Sequence, residues 1–96
     1  MDIKDLQDGM KRVEVEAQVV DKNPTRQVQS KFRDEVFNVA DAIVQDETGT
    51  IKLTLWNEQI DMVNVGDRIK IENGYVTSFK SETQLNIGKY GKLTVL

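Results

Sequence analysis

The sequence predicts an all-β domain: a five-stranded Greek-key barrel with a short helix between strands 3 and 4. Three observations carry this reading. Residues 13–20 and 51–56 alternate between apolar and polar side chains, the period of a half-buried strand. Turn chemistry at Asn23-Pro24-Thr25, Asp46-Glu47-Thr48-Gly49 and Val65-Gly66-Asp67 cuts the chain into strand-length pieces. Residues 57–63 place Ile60 and Val63 at helical spacing, enough for one or two turns between the third and fourth strands.

Taken in order, residues 1–11 read as a short turn or helical start whose Ile3 and Leu6 cover one end of the core. The first strand turns Val13, Val15, Ala17 and Val19 inward. Pro24, the only proline, breaks it. Residues 23–35 are polar and basic and read as a long mobile loop with room for strand at its flanks. Phe32 in that loop reads equally as a stacking ring or as an anchor. In the second strand, residues 36–45, the small side chains Ala40 and Ala42 and then Val44 suit a crowded inner face, which leaves Asp41 and Ile43 outside. A tight hairpin follows, with Gly49 expected to supply a positive φ. The third strand turns Ile51, Leu53 and Leu55 inward and Lys52, Thr54 and Trp56 outward, and Asn57 is a candidate helix cap. Residues 80–83 form a second exposed loop. Leu85 and Ile87 begin the fifth strand inward, residues 88–92 interrupt it, and residues 93–96 resume it.

The fourth strand poses a parity problem. Ile69 and Ile71 face in, so Arg68, Lys70 and Glu72 face out. Unbroken alternation buries Tyr75 and Phe79. A one-residue bulge at or beside Asn73-Gly74 reverses every later side chain, turning Val76 and Ser78 inward and Tyr75, Thr77 and Phe79 outward. The two rings then lie about 13 Å apart on one face. With the bulge, the barrel carries Trp56, Tyr75 and Phe79 on its surface beside Lys52 and Lys70; without it, Tyr75 and Phe79 are core.

With 96 residues the chain is one domain with a modest core. It has no Cys and no His, which excludes disulfides, Cys/His zinc sites and thiol or Ser-His-Asp chemistry. Its acids are scattered: Glu14/Glu16 lie on a solvent face and Asp46/Glu47 in a turn, so no acid/base pair forms. No phosphate-cradling glycine motif occurs. Neither catalysis nor a cofactor or metal is expected. No apolar run spans a membrane and no signal-peptide pattern occurs, so no membrane association and a cytoplasmic location are expected. The net charge of −3 is unevenly spread. Residues 22–33 hold Lys22, Arg26, Lys31 and Arg33 without an acid, and residues 73–96 hold Lys80, Lys89 and Lys92 against Glu82 alone.

Outward rings interleaved with cations on a barrel face are the chemistry of single-strand binding, in which bases stack and cations follow phosphates. The strand–strand–strand–helix–strand–strand order favours an OB-type barrel over a small SH3-like one. In an OB fold the ligand face is built on strands two and three, flanked by the loops joining strands 1–2 and 4–5, here residues 23–35 and 80–83. The run Asp46-Glu47-Thr48-Gly49-x-Ile51-Lys52-Leu53-Thr54-Leu55-Trp56, then Gly66-Asp67, Ile71-Glu72-Asn73-Gly74-Tyr75 and Phe79-Lys80, resembles the archaeal single-strand-DNA-binding proteins and the OB domains of archaeal replication protein A. The resemblance covers roughly Lys11 to Asn86. It implies stacking of DNA bases at the positions of Trp56, Tyr75 and Phe79 and a part in replication, recombination and repair. It departs from the pattern in carrying Asn86 where some relatives have a further aromatic residue; these 96 residues include neither a Gly-rich acidic tail nor a zinc finger, as expected of one domain of a longer protein.

The expected site is therefore Trp56, Tyr75 and Phe79 for bases; Arg26, Lys31, Arg33, Lys52, Lys70 and Lys80 for phosphates; and Gln29, Thr54 and Asn86 for base edges or sugars. The expected partner is single-stranded DNA, with other replication or repair proteins as further partners. RNA remains an alternative ligand, since stacking does not separate the two. The competing reading is an OB domain that binds protein within a replication protein A assembly.

Overall fold

The computed structural model describes residues 1–29, 34–88 and 90–96. After a single 3-10 turn at Ile3–Asp5, the strands are β1 (Lys11–Lys22), β2 (Arg26–Gln29), β3 (Val36–Asp46), β4 (Gly49–Trp56), β5 (Arg68–Phe79), β6 (Glu82–Asn86) and β7 (Lys92–Val95). A one-turn helix, α1 (Glu58–Met62), joins β4 to β5. The sheet runs β1-β3-β4-β6-β5 and closes on itself through β1–β5, with β4–β6 the parallel pair. This is the five-stranded OB barrel expected. The predicted fifth strand is split into β6 and β7, and β7 pairs along the first half of β5.

Closure needs long strands that bend. β1 pairs with β5 through its first half and with β3 through its second. The corner falls where Val20 is an extra residue between the pairs Val19–Val44 and Asp21–Ile43. Alternation then sends Val13, Val15, Ala17, Val19, Ala40, Ala42, Val44, Ile51, Leu53, Leu55, Ile69, Ile71, Val76 and Leu85 into one core. Ile3, Leu6, Ile60, Val63 and Ile87 close its ends. Ser78 is the exception: it is exposed, beyond the closed part of the barrel.

The bulge in the fourth predicted strand is present. Val15 pairs with Ile71 and Val13 with Gly74, so two steps along β1 match three along β5. Asn73, not Gly74, takes the positive φ, at 55°. Gly74 is needed for space: a Cβ there would sit 2.9 Å from the Asn86 carbonyl oxygen and 3.1 Å from Ile71 Cγ2. Past the bulge Gly74 and Val76 are buried and Tyr75, Thr77 and Phe79 exposed.

Three local expectations are corrected. Gly49 does not adopt a positive φ. The Asp46 carboxylate holds that turn instead, accepting hydrogen bonds from the Thr48 and Gly49 N–H groups and the Thr48 hydroxyl, at 2.7, 3.1 and 2.6 Å. It also accepts the Ile3 N–H at 2.8 Å, tying the N-terminal turn to the barrel. Asn57 makes no cap; its side-chain oxygen accepts the Asn38 N–H at 3.1 Å. The Lys22 ammonium serves the other end of the helix, donating to the carbonyls of Ile60 and Val63. Finally, the predicted loop 80–83 is a two-residue turn: Lys80 and Ser81 both have positive φ, and Glu82 and Thr83 already belong to β6.

Candidate nucleic-acid interface

β3, β4, β6 and the second half of β5 present one continuous outer face. Their registers order its side chains into rows. One row runs Asp41–Thr54–Asn86–Tyr75, and the next runs Ile43–Lys52–Gln84–Thr77. Trp56 stands two residues beyond Thr54 on β4, and Phe79 pairs with Glu82 at the far end of β5. Trp56 and Tyr75 are each 39% exposed and Phe79 62%, so all three predicted rings are surface and not core. From the strand spacing and rise, Trp56 and Tyr75 lie about 12 Å apart.

The rings stand over a polar floor. Thr54 and Asn86 face outward as expected, yet both are buried by the taller side chains around them. Asn86 donates to the Thr77 hydroxyl at 2.9 Å. Thr77, Asn86 and Thr54 thus form a short hydroxyl–amide strip between Phe79 and Trp56.

Among the predicted cations, Arg26, Lys52 and Lys80 reach this face. Arg26 Nη1 lies 3.0 Å from Asp41. Lys52 Nζ lies 3.4 Å from Glu82. The Lys80 ammonium sits 5.4 Å from the Phe79 ring centroid. Gln29 is exposed on β2, opposite Val36. The loop expected at residues 23–35 is partly ordered as strand, since β2 pairs with Val36–Val39 of β3. Lys31, Arg33 and Phe32 lie outside the described residues.

Lys70 does not belong to the site. It faces outward, but on the half of β5 before the bulge, between β1 and β7. Its ammonium pairs with Glu14 at 3.0 Å, and that contact, with Glu72 and Glu16 nearby, raises its pKa. Alternation separates in from out; it does not say which wall of a closed barrel an outward residue occupies.

One ring escaped the sequence reading. Phe37 shares the outward parity of Asp41 and Ile43 on β3. It meets Trp56 edge-to-face, with centroids 6.1 Å apart and planes at 79°. The signal was available in the alternation that placed Ala40 and Ala42 inside. Between these strands Val39 is also outward, and is buried without joining the barrel core.

A model of single-stranded DNA-binding proteins of the Ssb-like type, with an OB fold, matches residues 6–95. The chain belongs to this Ssb-like OB-fold family. It is 38% identical over 91 residues to the single-stranded DNA binding protein Ssb of Saccharolobus solfataricus, which covers 95% of this chain and 60% of that protein. The chain thus spans about three-fifths of that relative's length. Among solved structures it resembles the second OB-fold domain of replication protein A from Methanococcus maripaludis, at TM-score 0.81 and 25% identity, covering all of this chain and 93% of that one. The OB domain of a Thermoplasma acidophilum protein superposes at TM-score 0.85 with 18% identity, covering all of this chain and 85% of that one, a likeness of fold alone. Among the described residues of this Ssb-like domain no helix is long and apolar enough to cross a membrane, and no His, Cys, Asp and Glu side chains cluster as a metal site.

Proposed function

We propose that the domain binds single-stranded DNA without sequence preference, laying the strand across the outer face of β3, β4, β6 and β5. The observation that carries this is the exposure of Trp56, Tyr75 and Phe79 on one continuous face. Large rings held out of a core are costly to leave in water unless something covers them. Every base offers a π-face, so such a platform binds any sequence, at about 1–3 kcal/mol per stacked base. Phe37 supports Trp56 from the side and fixes its plane. Arg26, Lys52 and Lys80 meet phosphates, and Gln29 and the Thr77–Asn86–Thr54 strip meet sugars or base edges. No bond is made or broken in this reading. A role in replication, recombination and repair belongs to the same proposal. It is supported by membership of the Ssb-like family and the likeness to a replication protein A domain.

Trp56, the only tryptophan, is the reporter for the test. Oligothymidylate added to the protein should quench its emission saturably, and duplex DNA should not. Oligouridylate in a third titration measures discrimination against RNA. Absence of quenching by any single strand overturns the proposal, leaving the exposed rings as a protein-docking surface.

A further inference from the structure

Beyond Tyr75 the surface dips into a small cleft off the face described above. Its lining includes Lys11, Arg12, Asn73, Tyr75, Gly88 and Tyr90. The lining brings two cations and two tyrosines together and includes no acid. Among the described residues neither Lys11 nor Arg12 forms an ion pair, whereas Arg26, Lys52, Arg68 and Lys70 each face a carboxylate. Lys4, Lys22, Lys80 and Lys92 likewise form no ion pair among the described residues; what sets Lys11 and Arg12 apart is that they are consecutive cations.

The backbone around them is unusual as well. Lys11 pairs with Tyr75 and Val13 with Gly74, so Arg12 is an extra residue opposite a single step of β5. It has a φ of 56°, in the left-handed region where a bulge ordinarily carries glycine. Holding an arginine there strains the backbone. Arg12 lines both this cleft and the surface beyond it, at a bulge of the kind that re-aims side chains near binding sites. Two more features shape the cleft. The Tyr75 ring lies against Gly88, where an added Cβ would be 3.0 Å from Cε1. Asn73, the other bulge residue, donates to the Tyr90 carbonyl at 3.2 Å and so holds Tyr90 beside β5. Tyr90 itself is 81% exposed. Past Arg12 the surface turns acidic with Glu14 and Glu16, which closes that route to a polyanion.

From this arrangement we infer a second subsite, which takes the next nucleotide of the single strand past Tyr75. Its phosphate sits between Lys11 and Arg12, and its base lies against Tyr90. The inference rests on the proposed function and extends the path from β4 and β5 onto the start of β1.

The test uses Lys11→Gln/Arg12→Gly, in which glycine keeps the left-handed backbone while the cation is lost. Binding is measured with oligothymidylates of about 4 and about 12 nucleotides, which bracket a single OB domain. For the longer oligomer the double variant should lose roughly tenfold in affinity at low salt. Its slope of log affinity against log salt should flatten by about 0.7, the share of the one phosphate held there. The shorter oligomer should bind as before, and Tyr90→Ala should weaken only the longer one. A control, Arg68→Gln/Lys70→Gln, removes the same charge from the β1–β5–β7 wall and should leave both oligomers nearly unchanged. Thermal melting should show Lys11→Gln/Arg12→Gly at least as stable as the parent, so that lost binding is not lost fold. An equal fall for both oligomers, no fall for the longer one, or the same fall in the control overturns the subsite and leaves the ring platform standing. Failure of the parent chain to bind either oligomer overturns both readings.

Discussion

The Asn86 carbonyl oxygen lies 2.9 Å from the position a Cβ on Gly74 would occupy. β5 and β6 therefore approach at this point only because residue 74 has no side chain. The same approach sets Tyr75 opposite Asn86 and so joins the Tyr75 ring to the rest of the face. The obstacle is backbone and cannot rotate away. Gly74→Ala should lower stability by about 1–3 kcal/mol, as overpacking does, and should weaken single-strand binding in the molecules that remain folded. Urea denaturation followed by titration at low denaturant checks both. An alanine variant of unchanged midpoint would show that the strands separate freely there.

Trp56→Ala should leave the urea midpoint nearly unchanged, because the ring is outside the core, and should cost about 1–3 kcal/mol of single-strand affinity. A collapse in stability would return the ring to a structural role.

Phe37→Ala should cost less, about 0.5–1.5 kcal/mol of affinity, the range of an edge-to-face pair. Its effect should vanish in the Trp56→Ala background, because its part is to hold that ring. The double-mutant cycle measures this coupling. Additive losses would make Phe37 an independent contact.

Salt should weaken binding of a short oligomer with a slope of about −2, from about −0.7 for each of three phosphates met by Arg26, Lys52 and Lys80. Fluorescence titrations over a range of chloride concentrations measure it. A slope near zero would remove all three from phosphate contact.

Acid should loosen the N-terminal turn. Partial burial alone would raise the Asp46 pKa, but the Thr48 hydroxyl and the N–H groups of Ile3, Thr48 and Gly49 outweigh it and hold the carboxyl at about 2, against 3.8 unperturbed. A carboxyl depressed on folding adds stability above its unfolded pKa, and that stability is lost as pH falls from about 4 towards 2. Because water reaches the site, roughly 1 kcal/mol is expected. The stability gap between the parent and Asp46→Ala, read from urea midpoints, should be widest near neutral pH and should narrow through that window. A constant gap would separate it from ionisation.

Much of this molecule could be read from alternation. Period-2 patterning placed the inward faces of β1, β3 and β4, and the conflict between Ile71 and Tyr75 located the bulge. The misses at the site have a common cause: a pattern along the chain carries no information about which strands become neighbours. Lys70 was assigned to the ring face because it is outward, yet closure of the barrel puts it beside Glu14. Phe37 was overlooked because its importance comes from Trp56, a residue 19 positions away that only the β3–β4 register brings close. Turn chemistry failed for a different reason. Gly49 looked like the residue that makes the hairpin, but a single carboxylate with four donors can impose the turn without a positive φ there. Likewise Asn73 took the left-handed position, which asparagine tolerates, and left Gly74 to answer a steric demand.

Under the proposed function, the ion pairs Arg26–Asp41 and Lys52–Glu82 have a kinetic consequence. Each of these cations arrives with its counterion already attached to the protein. In the proposed complex a bound phosphate displaces a carboxylate that stays tethered beside the cation. When the phosphate lets go for an instant, the carboxylate is there to take its place. On the proposed reading, electrostatic contacts on this face are thus surrendered one at a time while the rings carry the standing affinity. Such a grip suits handover: a second protein can peel the strand away contact by contact instead of waiting for the whole complex to dissociate.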